Sequence, residues 1–171
     1  MRMAPVMNGT LGSEEPNSRL QIRRPFVAEL PYLSDLCLRS KAVWGYDKAF
    51  LEACRAELTL DESELIDSDI GVGAADGTII GVVQIRLDGD HADLEKIFVE
   101  PRHLGRGVGR IMFEWALHEA RSAGAQRIVV HADPSAEPFY KAMGMVDAGH
   151  APSGSIPGRM LPRLVLPIDD R

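Results

Sequence analysis

The chain has 171 residues, enough for one compact domain and too few for two ordinary ones. Its composition is 45% hydrophobic and 26% charged, and no apolar run approaches the roughly 18 residues of a membrane span. A formal net charge of -6 argues against a general nucleic-acid binder, because neutralising phosphates requires a basic face.

The opening segment "MRMAPVMNGTLGSEEPNSRL" lacks the continuous apolar core of a secretory signal. Residues 1–18 therefore read as a flexible tail and 19–171 as a single domain, in the cytoplasm. Cys37 and Cys54 fall in helix-like segments outside CxxC or CxH spacings, so they read as thiols of a reducing compartment rather than metal ligands.

In chain order, "RLQIRRPF" reads as a strand, and apolar residues at Leu30, Leu33, Leu36 and Cys37 follow at helical spacing. Asp47 is a candidate N-cap for a second helix whose face holds Phe50, Leu51, Cys54 and Leu58. The period then changes to that of three antiparallel strands, turning at Asp76–Gly77 and around Asp88–Asp90. Val108, Ile111, Met112 and Trp115 restore a helix that stops near Gly124, and "QRIVVHAD" reads as a buried strand. Asp133 and Pro134 open a short helix with an irregular first turn at Pro138. Two last strands, "MVDAG" and "MLPRLVLPI", flank the turn-rich loop "HAPSGSIPGR". This order predicts an α+β domain with one central mixed, mostly antiparallel sheet of about seven strands and about four helices.

The densest signal is "VEPRHLGRGVGR", where Gly105, Gly107 and Gly109 stand between a strand and a helix. A phosphate-binding GxxxxGK loop is excluded by the missing lysine, and a GxGxxG dinucleotide fingerprint by spacing. Unpaired amides at a helix start, with no side chains in the way, make an anion site suited to a pyrophosphate. A glycine turn that only packs helix on sheet explains the same letters.

Around this loop the chain resembles the GNAT N-acetyltransferase superfamily, an α/β three-layer fold. That signature is Gln or Arg, two residues, Gly, one residue, then Gly or Ala, after a strand ending in VxP. "VEP" at Val99–Pro101 makes Gly107 and Gly109 the signature glycines, and Leu104 departs from the usual Gln or Arg. "DPSAEPFYKAMGM" is similar to the family's second motif, with Asp133, Ala136, Tyr140 and Gly144 in register and Asp133 in place of the usual Asn. The resemblance spans about Leu20 to Ile168.

The resemblance implies acetyl-CoA as acyl donor, with no metal, and direct attack by a primary amine of a small molecule or protein. Tyr140 then protonates the leaving thiolate. A backbone N–H near Ile97 serves the oxyanion, and Ile97 and Val99 pair with the pantetheine arm. The amides of Leu104, Gly105, Arg106, Gly107, Val108, Gly109 and Arg110 hold the pyrophosphate, helped by the Arg106 and Arg110 charges, with Asp133, Ala136 and Lys141 nearby.

For the base, strand alternation sets Asp93, Glu95, Ile97 and Val99 on one face, where a carboxylate is suited to taking a proton. Pairing of Glu95 with an arginine is the plain alternative, and His131 is a rival base. The acceptor side falls to "RSKAVWGYD" and "SGSIPGR", with Trp44, Tyr46, Ser153, Ser155 and Arg159 as contacts, or as core aromatics and turn formers. A non-catalytic acyl-CoA-binding or regulatory module is the competing function. Unpaired edges at the final strands invite a homodimer.

Overall fold

The computed structural model describes residues 20–169; the expected tail over 1–18 lies outside them. One seven-stranded sheet is built from β1 (Leu20–Arg23), β2 (Asp69–Ala75), β3 (Thr78–Asp88), β4 (His91–Val99), β5 (Arg127–His131), β6 (Val146–Pro152) and β7 (Met160–Pro167). The strand order is β1-β2-β3-β4-β5-β7-β6. Only β4 and β5 run parallel, as the long connection through a helix between them requires.

On one face lie α1 (Leu30–Ala42), α2 (Lys48–Leu58) and α3 (Glu62–Asp67), over a core of Leu33, Leu36, Cys37, Cys54, Ile70, Val72 and Val82. On the other lie α4 (Val108–Ser122) and α5 (Glu137–Ala142), packed on Val83, Ile85, Leu94, Met112, Ile128 and Leu164. Both cysteines are buried free thiols. The N-caps expected at Asp47 and Asp133 form, each side chain accepting a backbone amide: Phe50 for the first and Ser135 for the second.

Helix α3 is additional to the four expected. Asp61 caps it by accepting the Ser63 and Glu64 amides, and at six residues it is too short to show a helical period. Strand β6 also runs further than expected, to Pro152, because an irregularity between Asp147 and His150 lets it rejoin β7 after Gly149.

Two features of β4 position the site. Parallel pairing with β5 covers only His91–Asp93 against Arg127–Val129, after which the two strands no longer bond. Against β3, Leu94 stands opposite Ile85 and Lys96 opposite Gln84, so Glu95 is the extra residue of a β-bulge.

The bulge overturns the expected one-face alternation of Asp93, Glu95, Ile97 and Val99. Ile97 and Val99 pack in the α4 core, whereas Glu95 turns to the opposite face and bonds Arg86. An inserted residue reverses the alternation beyond it.

Candidate active site

A cleft of about 500 Å³ opens where β4 and β5 cease to pair, lined by Ile97–Val99 on one side and Val130–Asp133 on the other. One end is the glycine loop, with Leu104, Gly105, Gly107, Val108, Gly109 and Arg110 in its wall. The other end is closed by α1, α2 and the loop between β6 and β7, through Lys41, Trp44, Glu57, Ser153, Ser155 and Arg159.

The loop glycines divide their tasks. Gly105 and Gly107 take φ of 74° and 80°, a left-handed backbone that L side chains rarely adopt. Gly107 is the N-cap of α4, and the first helical bond runs from the Ile111 amide to its carbonyl. The amides of 108–110 therefore have no acceptor one turn earlier within the helix. Gly109 serves packing instead: a Cβ there would stand 3.1 Å from the Phe139 ring of α5. The packing reading of the loop thus holds at Gly109, while Gly105 and Gly107 supply the backbone shape that the anion-site reading requires.

Along β4 the Glu100 amide bonds the Ile80 carbonyl of β3, so alternation turns the Ile97 and Val99 amides to the cleft edge. The Val99 amide already donates to Ser40 Oγ at 3.4 Å. Tyr140 comes up from α5 on the opposite wall, 6% exposed, its ring edge-on to Phe139. Among the described residues nothing hydrogen-bonds its hydroxyl. Burial first, and the Asp133 charge second, push its phenol above the ordinary value, so it stays protonated.

Asp133, at the end of β5, ties the acceptor end together. Its carboxylate accepts from Tyr46 Oη at 2.8 Å, Lys41 Nζ at 3.2 Å and the Ser135 amide at 2.8 Å. Arg159 Nη2 donates to Tyr46 Oη at 2.8 Å and lies 3.8 Å from Asp133. The guanidinium sits over Tyr46 and over Phe50, whose rings stack at 4.0 Å. Burial alone would raise the Asp133 carboxyl, but the Ser135 amide, the Tyr46 hydroxyl and the Lys41 ammonium outweigh it and hold the group below its ordinary value.

A model of the acetyltransferase (GNAT) family matches residues 38–145. The chain belongs to the GNAT family. A curated relative from Pyropia yezoensis, an uncharacterized N-acetyltransferase ycf52, is 25% identical over 93 residues, covering 54% of this chain and 53% of that protein. The chain thus spans about half the length of that relative. PaiA N-acetyltransferase from Thermoplasma acidophilum, in complex with coenzyme A, superposes with a TM-score of 0.73 at 16% identity, over 86% of this chain and 98% of that one. The yncA protein of Salmonella typhimurium, with its cofactor acetyl-CoA, gives 0.64 at 18% identity, over 89% and 95%. At these identities the likeness is one of fold.

In this GNAT chain the remaining expected site residues are spread unevenly. Glu95 borders the cleft and is held by Arg86 at 2.8 Å, the arginine pairing weighed as its alternative. Asp93 is outside the cleft lining, its carboxylate 3.4 Å from His91 Nε2. Lys141 bonds Glu137 and Asp147 at 2.9 and 3.3 Å, also outside the lining. Arg106 does not line the cleft, whereas Ala136 and His131 do. Ser153 is a turn former, its hydroxyl accepting the Ser155 and Ile156 amides, while the Ser155 hydroxyl donates to Glu57.

Among the charged cleft residues, Glu57 and Lys96 escape the sequence reading, and Lys41 falls inside the acceptor-side stretch "RSKAVWGYD" without being singled out. Glu57 sits on a polar stretch of helix, where nothing marks it. Lys96 follows Glu95 and precedes the apolar run Ile97–Val99 of the strand, and its 5% exposure is unusual for a lysine.

Proposed function

We propose that the protein is an N-acetyltransferase that moves an acetyl group from acetyl-CoA to a primary amine by direct attack within a ternary complex. The observation carrying this reading is a single cleft that joins a helix-start amide cradle, a buried protonated tyrosine and an acceptor mouth.

Acetyl-CoA supplies an acetyl group already activated as a thioester. The amides around Gly107, with the Arg110 charge, suit its pyrophosphate, and the missing side chains at Gly105 and Gly107 let the anion reach the backbone. The Ile97 amide on the cleft edge is the donor for the carbonyl oxygen. As the amine nitrogen bonds to the carbonyl carbon and the carbon–sulfur bond breaks, Tyr140 gives its phenol proton to the departing sulfur. Glu95 takes the surplus proton from the amine through water. Asp133 is held by three donors and the nearby Arg159 charge and is not a base; it fixes Tyr46 and Arg159 at the acceptor end. Asp93 and Lys141 have no part in this step.

The test is thiol release from acetyl-CoA over a panel of amines, with Tyr140→Phe beside the native chain. The expected loss in kcat is about 100-fold or more, the scale of a general acid, with the Kd for coenzyme A changed by less than about twofold. Thiol release that is indifferent to Tyr140→Phe removes the acid from the mechanism. Coenzyme A binding with no release from any amine favours a binding module.

A further inference from the structure

Three cations occupy the acceptor half of the cleft wall: Lys41 and Arg159, whose side chains are 14% and 20% exposed, and Lys96, 5% exposed. Asp133 draws both Lys41 and Arg159 to its carboxylate. Lys96 is not among them. Its ammonium donates to the neutral Gln84 Oε1 at 2.8 Å and forms no ion pair among the described residues. Gln84 is fully buried and passes the chain on to Ser68 Oγ at 2.9 Å.

Two other carboxylates nearby are otherwise engaged. Glu95 is bound by Arg86, and the exposed Glu57 accepts from Ser155. Glu64 of α3 has a buried Oε2 with no hydrogen-bond partner, but it does not bond the Lys96 ammonium. Its own backbone carbonyl receives Ser68 Oγ at the far end of the Gln84 chain.

A buried ammonium without an anion is costly, and buried charges are ordinarily paired. The described bonds of Arg159 use only Nη2, so its planar fork, seated on Tyr46 and Phe50, keeps further donors for a carboxylate. The pyrophosphate assigned above lies at the opposite end of the cleft and does not neutralise these charges.

We propose that the acceptor is an amine bearing a carboxylate, and that Lys96 and Arg159 receive that carboxylate. The bulge supports an amine and a carboxylate that lie close together, as in an amino acid. It sends the consecutive side chains of Glu95 and Lys96 to Arg86 and Gln84, neighbours on one face of β3. The proton acceptor of the proposed reaction and an unpaired cation thus stand side by side.

This inference rests on the acetyl-transfer reading, so the experiment separates the two. Thiol release is measured with the standard amino acids, their carboxamides and simple alkylamines, alongside calorimetric binding of acetyl-CoA. At least one amino acid is expected to exceed its carboxamide in kcat/KM by about tenfold or more, the scale of one lost charge-assisted contact. Lys96→Met should bring that ratio close to one, mainly through KM, and Lys96→Arg should restore part of it. If Lys96→Met fails to fold by circular dichroism, Arg159→Gln in the surface loop carries the same expectation. Carboxamides or alkylamines used as well as acids, or a ratio untouched by these variants, overturns the carboxylate site and leaves acetyl transfer standing. Absence of both acetyl-CoA binding and thiol release overturns the two together.

Discussion

Asp133 shows how one residue's charge is distributed over four elements. It is the capping residue after β5, yet its carboxylate also gathers Lys41 from α1, Tyr46 from the turn before α2 and Arg159 from the loop before β7. Because its folded pKa lies below the ordinary 3.8, the group adds stability above that value and loses it as pH falls through the folded value. Thermal melts of native protein and Asp133→Asn should therefore differ at pH 7, begin to converge only below about pH 4 and meet once pH is under the folded value. A gap that stays constant into acid shows that the charge of Asp133 is not what holds the knot. Tyr140 titrates in the other direction, and its burial keeps the proton that the proposed acid step uses.

At the scale of elements, the site depends on two interruptions of regular structure, the early end of β4–β5 pairing and the bulge at Glu95. The strand itself was legible from its β-branched and apolar letters, as were the helix behind the glycine loop and the motif carrying Tyr140. The bulge was not, because nothing in "DLEKIFV" distinguishes an extra residue from continued alternation; only pairing with β3 reveals it. Likewise α3 is defined by an Asp61 cap and tertiary packing, over a span shorter than two helical turns. Lys41, Glu57 and Arg159 meet only because α1, α2 and the β6–β7 loop converge, a long-range fact that local spacing does not carry.

Helix α4 anchors the cradle to the sheet through Met112. That side chain is fully buried, and its sulfur and methyl lie where a Cβ on Gly81 would be, at 2.8 and 2.9 Å. Met112→Ala is expected to cost about 2–5 kcal/mol, because the sheet beneath it presents Gly73 and Gly81, which have no side chain to fill the space. Denaturant unfolding measures it, and a loss below about 1 kcal/mol shows that the interface relaxes around the cavity.

Over the whole molecule, charge is arranged against its average. The chain is acidic, at -6, but the buried part of the acceptor wall is cationic, and the loop at the other end offers amides and Arg110. Net composition therefore gave no guide to the pocket, since a few buried charges outweigh many solvated ones in the field a ligand meets. Among the described residues no helix is long and apolar enough to cross a membrane. The split sheet makes one passage from the glycine loop to the acceptor loops, and the proposed reaction has donor and acceptor entering from opposite ends and meeting at Ile97 and Tyr140.

That geometry stands or falls on the glycine loop being the donor's anion site. Calorimetric titration of the full chain with acetyl-CoA, repeated on Gly107→Glu, addresses it directly. The account predicts micromolar binding by the native protein, weakened by about 100-fold or more when a carboxylate and a side chain are placed at the α4 N-cap. Absence of binding to the native chain, or equal binding by a folded Gly107→Glu, contradicts it.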